Sequence, residues 1–389
     1  MKKVQWKYIV VIGMLLTMFV FLLISLNRIE KNMEKYDELS VTEKTTYHFS
    51  DVEIYLPEVY YVADSLQMNI YNNQITNLGT HISEYRVEWF CGYPESEVTE
   101  QGLIIQGKDG SHGSYDFGVA VYDRSGLLLA KKDAVLKIVE AKKKQFSVLT
   151  IGDSLSANGE LYARLQEHFE NQMICNGTRG YEGFLTEARP GFSAKDYLTE
   201  TGYYLEEGEA VHKFWNPETE RFDWNYYKTS TGFQPDVILL HLGTNGLLSG
   251  EENGENICEI VELIRRDDKK IPIYVVNTIY QSDQNGIGSM KMNNGSLMFP
   301  GQYKHDRDLA NFELREYLAQ HLSELKNVYL VPASISVDSE RVFMTENRMV
   351  NPYSAETEAV AVDAVHPAAE GYRQIADAIY STMCGTMKN

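Results

Sequence analysis

Phe146-Ser147-Val148-Leu149-Thr150-Ile151 runs directly into Gly152-Asp153-Ser154-Leu155, and this junction decides how the second half of the chain is read. The apolar run has the length of a buried strand, and a helix is predicted over 160–171 after a short turn. Further strands are predicted at 173–176, 237–242, 273–277 and 328–331, with helices at 256–266, 307–325 and 367–383 between or after them. Strands alternating with helices make a three-layer α/β domain on a parallel sheet. In such a sheet ligands gather at the carboxyl ends of the strands, so Ser154 stands where a substrate would bind.

Serine is a poor nucleophile without a histidine base that is itself oriented by a third group. Near the other end, Val362-Asp363-Ala364-Val365-His366-Pro367 supplies such a pair. A separation of three residues in a turn lets the carboxylate bond one ring nitrogen and leaves the other for Ser154. Pro367 suits the first turn of the helix that follows. His241 is the nearest competitor and reads as a packed or substrate-facing residue. Acyl transfer also needs donors for an oxyanion. Asn245 in Leu242-Gly243-Thr244-Asn245-Gly246 offers a side-chain amide. Gly191 in Ala188-Arg189-Pro190-Gly191-Phe192 offers a backbone N–H, in preference to Gly177, Gly180 and Gly183. Taken singly, Ser154 reads equally well as a helix cap and Asp363 as a turn former. Together, in order and at strand ends, they point to catalysis.

The ordered blocks GDSL, a mid-chain glycine, GTN and DxxH resemble the SGNH, or GDSL, hydrolase superfamily over residues 145–383. That resemblance implies a flavodoxin-like fold with five parallel strands. It implies Ser154 as nucleophile, Asp363 and His366 as its triad partners, and an oxyanion hole from the Ser154 N–H, Gly191 and Asn245. Gly246 stands where the third block ordinarily carries an aspartate. The GxSxG elbow of the α/β-hydrolases is absent. The stretch Lys213-Phe214-Trp215-Asn216-Pro217 with Arg221-Phe222-Asp223-Trp224-Asn225 resembles an insertion of bacterial relatives allied to carbohydrate esterases. Trp215 and Trp224 are its candidate sugar-stacking residues, along with His241 as a substrate contact. The competing reading is that Phe222, Trp224 and Tyr227 pin the insertion to the domain.

Before the charged boundary Ala141-Lys142-Lys143-Lys144 the pattern is different. Short period-two runs such as Arg86-Val87-Glu88-Trp89-Phe90, broken by Gly, Asp and Asn, predict an immunoglobulin-like β-sandwich over 47–141. Residues 27–46 are polar and charged and read as a stalk. The apolar run at 8–26 would span about 28 Å as a helix, the thickness of a bilayer core. Lys2, Lys3 and Lys7 precede it, and Ser25-Leu26-Asn27-Arg28 offers no small-x-small cleavage site. The expectation is a single-pass signal anchor at 1–26 with the catalytic domain, 145–389, outside the cytoplasm.

A net charge of -19 with 43% hydrophobic residues suits a packed body and disfavours nucleic acid as a partner. Cys91, Cys175, Cys258 and Cys384 have no CxxC spacing, so neither a zinc site nor a redox pair is expected. The triad needs no metal or other cofactor. The expected function is therefore that of a serine esterase acting on acetyl or other small acyl esters, with an acylated carbohydrate as substrate. Acyl transfer to a glycan, lysophospholipase or thioesterase chemistry, and non-catalytic glycan binding remain open alternatives.

Overall fold

The computed structural model describes residues 52–200, 211–246, 249–282 and 304–387, with only the backbone described at 304 and 305. The expected anchor at 8–26 and stalk at 27–46 lie outside the described residues, as does most of the Gly/Asn-rich stretch at 281–301. No helix among the described residues is long and apolar enough to cross a membrane. Val52–Asn389 makes one compact unit.

Its first part is all-β. The strands β1 (Val59–Ala63), β2 (Gln67–Tyr71), β3 (Arg86–Cys91), β4 (Ser96–Thr99), β5 (Gly102–Gln106), β6 (Gly113–Tyr122) and β7 (Leu128–Val139) form two sheets, ordered β1-β7-β6-β3 and β2-β5-β4. Alternating burial along them packs Val62, Met68, Ile70, Leu103, Ile105, Phe117, Val119, Leu136 and Ile138 into one core. A constant-type immunoglobulin sandwich pairs its first strand with the second. Here β1 lies parallel to the last strand, β7, with Val59 opposite Val135.

Residues 140–145 form a short connection, after which the chain alternates strand and helix. The strands β8 (Phe146–Gly152), β9 (Met173–Asn176), β10 (Val237–His241), β11 (Ile273–Val276) and β12 (Val328–Val331) form one five-stranded sheet ordered β12-β11-β10-β8-β9. Every pairing in it is parallel. Every residue of β10 and β11 is buried, the continuous apolar run that a sheet covered on both faces demands. The helices α1 (Gly159–His168), α2 (Trp224–Thr231), α3 (Gly250–Asp267), α4 (Lys304–Leu322) and α5 (Ala369–Thr386) complete the body. In strand sequence the sheet order is 2-1-3-4-5, and its direction of winding reverses between β8 and β10. That reversal opens a crevice at the carboxyl ends of these two strands.

The all-β part packs on the α/β part through a continuous core. The Tyr60 hydroxyl lies 2.7 Å from Ser336 Oγ. The Ala63 N–H donates to Ser381 Oγ of α5 at 3.2 Å. Gln74 Nε2 donates to the Val337 carbonyl at 2.7 Å. Gly385 has to be glycine, because a Cβ there would stand 2.0 Å from the Tyr61 ring. Cys175, Cys258 and Cys384 are buried, Cys91 is half-buried, and all four are free thiols.

Candidate active site

Ser154 opens a single 3-10 turn, Ser154–Ser156, immediately beyond β8. Asp153 caps that turn, its Oδ1 accepting the Leu155 N–H at 2.9 Å. The Asp153 N–H donates to the His241 carbonyl at 3.3 Å, which ties the end of β8 to β10. Asp153 is fully buried, and burial pushes its carboxyl up to about 7 against the pull of the Leu155 N–H and of the His366 ring. A short turn and the Asn158 cap then lead into α1.

Asp363 and His366 sit in the segment before α5. Asp363 Oδ1 accepts the backbone N–H groups of Val365 and His366 at 2.8 and 3.0 Å, which folds the segment into a tight turn. The Asp363 Oδ2 lies 2.8 Å from His366 Nδ1, and His366 Nε2 lies 2.8 Å from Ser154 Oγ. The structure thus brings Ser154, His366 and Asp363 into one hydrogen-bonded chain although Ser154 is 212 residues from His366. The bond to Asp363 holds the imidazole above its ordinary pKa, against the lowering effect of burial. Burial alone would raise the Asp363 carboxyl, but the bonds from the His366 ring and from two backbone N–H groups hold it below the usual carboxylate value.

Pro367 is not in the first turn of a helix, as its position suggested. It bridges Phe343, and the Ala368 N–H donates to the Val342 carbonyl at 2.6 Å, so α5 begins only at Ala369. The DxxH turn is therefore anchored by an antiparallel contact rather than by the helix alone.

Gly191 reaches the crevice by a detour. The strand β9 stops at Asn176, a hairpin pairing Arg179–Tyr181 with Phe184–Thr186 follows, and the chain then returns along β8. There the Glu187 N–H donates to the Thr150 carbonyl at 2.8 Å and the Arg189 N–H to the Gly152 carbonyl at 2.9 Å. Arg189 to Phe192 is a turn closed by Phe192 N–H to Arg189 O at 3.1 Å, with Pro190 second and Gly191 third. Gly191 has φ 80°, the value that puts glycine at this position of a type II turn. Asn245 Nδ2 donates to the Phe192 carbonyl at 3.0 Å, which joins the Gly191 turn to the Gly243–Gly246 loop. The Ser154 turn, the Gly191 turn and the Asn245 loop are thereby laced together.

Several buried groups that the motifs did not single out hold this arrangement. Asn253 of α3 donates to the carbonyls of Gly243 and Asn245 at 2.9 and 3.3 Å. Arg307 of α4 donates to the Thr244 carbonyl at 3.0 Å. The Tyr197 hydroxyl is 2.7 Å from the Gly152 carbonyl and 2.6 Å from that of Glu187. Nothing in the sequence marks them, since Asn253 stands beside Glu252 and Glu255, Arg307 between Asp306 and Asp308, and Tyr197 after Lys195 and Asp196.

The three substrate candidates fare differently. Trp224 is fully buried, ring against ring with Tyr227 at 5.5 Å and Phe214 at 6.5 Å, so it presents no face to a sugar. Phe222 and Tyr227 are buried in the same stack, and the insertion is pinned by its aromatics. Trp215 is half-buried, paired with Phe222 in a two-residue ladder. His241 is 1% exposed, and burial pushes its imidazole down to about 4. It is a neutral packed residue rather than a substrate contact. Elsewhere, on the all-β part, Asp64, Asp109 and His112 bring possible ligand atoms within 4.8 Å of one another. They take no part in the chemistry below.

The chain resembles an acetyl esterase variant solved with an acetate ion, at 15% identity over 61% of this chain and 95% of that one, with a TM-score of 0.35. A carbohydrate esterase family 3 protein from Talaromyces cellulolyticus gives the same 15% identity, 61% and 95% coverage and TM-score of 0.35. The periplasmic domain of a lipopolysaccharide acetyltransferase from Salmonella ser. Paratyphi A gives 13% identity, 61% and 84% coverage and a TM-score of 0.35. No curated protein matches the chain in sequence. The family model for the GDSL-like lipase/acylhydrolases matches residues 148–379, more than half of the chain and the whole stretch from β8 into α5. The chain belongs to the GDSL-like lipase/acylhydrolase family of the SGNH superfamily.

Proposed function

We propose that this protein is a serine esterase that removes acetyl or other small acyl groups from a carbohydrate. The observation that carries the reading is the hydrogen-bonded chain from Ser154 Oγ through His366 to Asp363, each link 2.8 Å long. In the proposed mechanism Ser154 Oγ attacks the ester carbonyl carbon as His366 Nε2 takes its proton. Asp363 holds the Nδ1–H and stabilises the imidazolium. The carbonyl oxygen becomes an oxyanion that the N–H groups of Ser154 and Gly191 and the free amide hydrogen of Asn245 receive. The C–O bond to the sugar breaks, His366 returns its proton to the departing hydroxyl, and the acyl group stays on Ser154. Water, deprotonated by His366, then releases the acid.

Support for a hydrophilic alcohol comes from the openness of the triad. The Asp363 and His366 side chains are 31% and 30% exposed, which leaves room for a bulky sugar at the serine. The apolar run at 8–26 supports a position at a membrane, with the reaction outside the cytoplasm. The test is hydrolysis of p-nitrophenyl acetate by the full chain beside Ser154→Ala and His366→Ala. Turnover abolished in both variants is the expected result. A folded but inert parent protein would overturn the esterase reading and turn attention to transfer onto a glycan acceptor.

A further inference from the structure

A groove of about 570 Å³ opens where the all-β part meets the segment that leads to the triad. That volume falls within the range of ligand sites. Its walls mix polar and apolar groups: Asn72, Tyr85, Arg86, Gln101 and Arg341 line it together with Ile82 and Val87. Tyrosine rings and amide or guanidinium forks are the groups that stack on a sugar ring and bond its hydroxyls.

The walls are held before any ligand arrives. The Trp89 indole N–H donates to Asn72 Oδ1 at 2.8 Å, and Asn72 Nδ2 donates to the Glu100 carbonyl at 3.1 Å, so the amide is fixed at both ends. Across the groove, Asp338 Oδ1 accepts the N–H groups of Glu340 and Arg341 at 2.8 and 3.1 Å. Groups ordered in advance lose less freedom on binding.

Charge narrows the ligand. The two arginines face three carboxylates, Glu100, Asp338 and Glu340. Arg341 is already paired with Glu340 at 3.0 Å and Asp338 at 3.5 Å, and Arg86 with Glu88 at 3.2 Å. A polyanion meets these carboxylates and arginines that are already paired, whereas an uncharged, hydroxyl-rich chain carries no charge for the carboxylates to repel.

Position connects the groove to the reaction. Arg341 is two residues before Phe343, which bridges Pro367, the neighbour of His366. Chain geometry and the spacing of a bridged pair put the Cα atoms of Arg341 and His366 at most about 16 Å apart. We propose that the groove is a polysaccharide-binding site that holds a neutral glycan strand while an acyl group farther along the same strand lies at Ser154. The inference rests on the esterase reading for what happens at Ser154, but binding at the groove is measurable without it.

The experiment uses the full-length protein with O-acetylated xylan and O-acetylated glucomannan as polymers and p-nitrophenyl acetate as the small ester. Tyr85→Ala and Arg341→Ala should each weaken polymer binding to the Ser154→Ala protein about tenfold. In the active protein they should raise KM for the polymer by a similar factor and leave p-nitrophenyl acetate turnover unchanged, which also reports an intact fold. Unchanged polymer affinity in both variants, or failure of either polymer to bind the parent, overturns the groove assignment. So does an equal loss on polymer and small ester, or capture of extended peptides in place of both polymers. Tyr85-dependent binding by a parent that hydrolyses neither kind of ester would keep the groove and overturn the esterase reading instead.

Discussion

The crevice at the end of β8 and the groove on the all-β part are built by different means. In the crevice each key group follows a strand end or precedes a helix and is locked by backbone bonds, such as Leu155 N–H to Asp153 and Val365 N–H to Asp363. In the groove the walls come from strand residues such as Arg86, Val87 and Thr99, from the turns beside them and from one loop of the α/β part, and no short motif spans them. Bond-making chemistry requires particular atoms at particular places, so it constrains residue type. Gripping a polymer requires a surface of suitable shape and polarity, which many residue combinations supply. On this reading, changes in the crevice act on every ester, and changes in the groove act on polymers alone.

The sharpest check is Ser154→Ala, expected to lower turnover of small and polymeric esters alike by about 10⁶-fold, measured from initial rates. A polymer-selective loss would break the contrast at once. Asp363→Asn should cost about 10⁴-fold by leaving the imidazole in the wrong tautomer. It should also move the pH profile. Because Asp363 raises the His366 pKa, the parent loses activity as pH falls through a value above the ordinary histidine one. Without the carboxylate that acid limb shifts to lower pH, and a limb that stays in place would remove Asp363 from its role.

Trp224→Ala empties a fully buried site and should destabilise the fold by about 3–5 kcal/mol in chemical denaturation. Polymer affinity of the folded fraction should not change. Lost affinity at unchanged stability would restore the insertion as a sugar platform. Asn245→Ala should lower kcat by about 10²–10³-fold with little effect on KM, the mark of a donor used in the transition state. The groove variants come last, with an effect of about tenfold confined to polymers.

Much of the sheet was legible before any coordinates. Strands expected at 146–151, 237–242 and 273–277 end within one residue of those observed, because a strand buried on both faces is an unbroken apolar run. Two hairpins near the site leave no such mark in the sequence. The one pairing Thr345–Met349 with Thr357–Ala361 is exposed along its whole first strand, so no burial-driven alternation marks it. The one at 179–186 is two three-residue strands, too short for a periodic signal. The sequence leaves Trp224 between a sugar platform and a residue that pins the insertion. Its surroundings in the sequence are polar, and only Phe214 and Tyr227 stacked on it reveal a core residue.

Ser154, His366, Asp363 and Asn245 could be singled out from order and residue type alone, since strand ends and turn-forming spacings are local properties of the chain. What brings them together is not local. The bond from the Asp153 N–H to the His241 carbonyl, the return of residues 187–189 along β8, and the grip of Asn253 and Arg307 on the loop after β10 all join segments far apart in sequence. The same holds for the groove, whose two walls meet only because the all-β part packs on the α/β part. Local sequence determined which groups were available. Tertiary structure decided which are buried, which face each other and which stay open to a substrate, because burial and partnership are properties of neighbours in space.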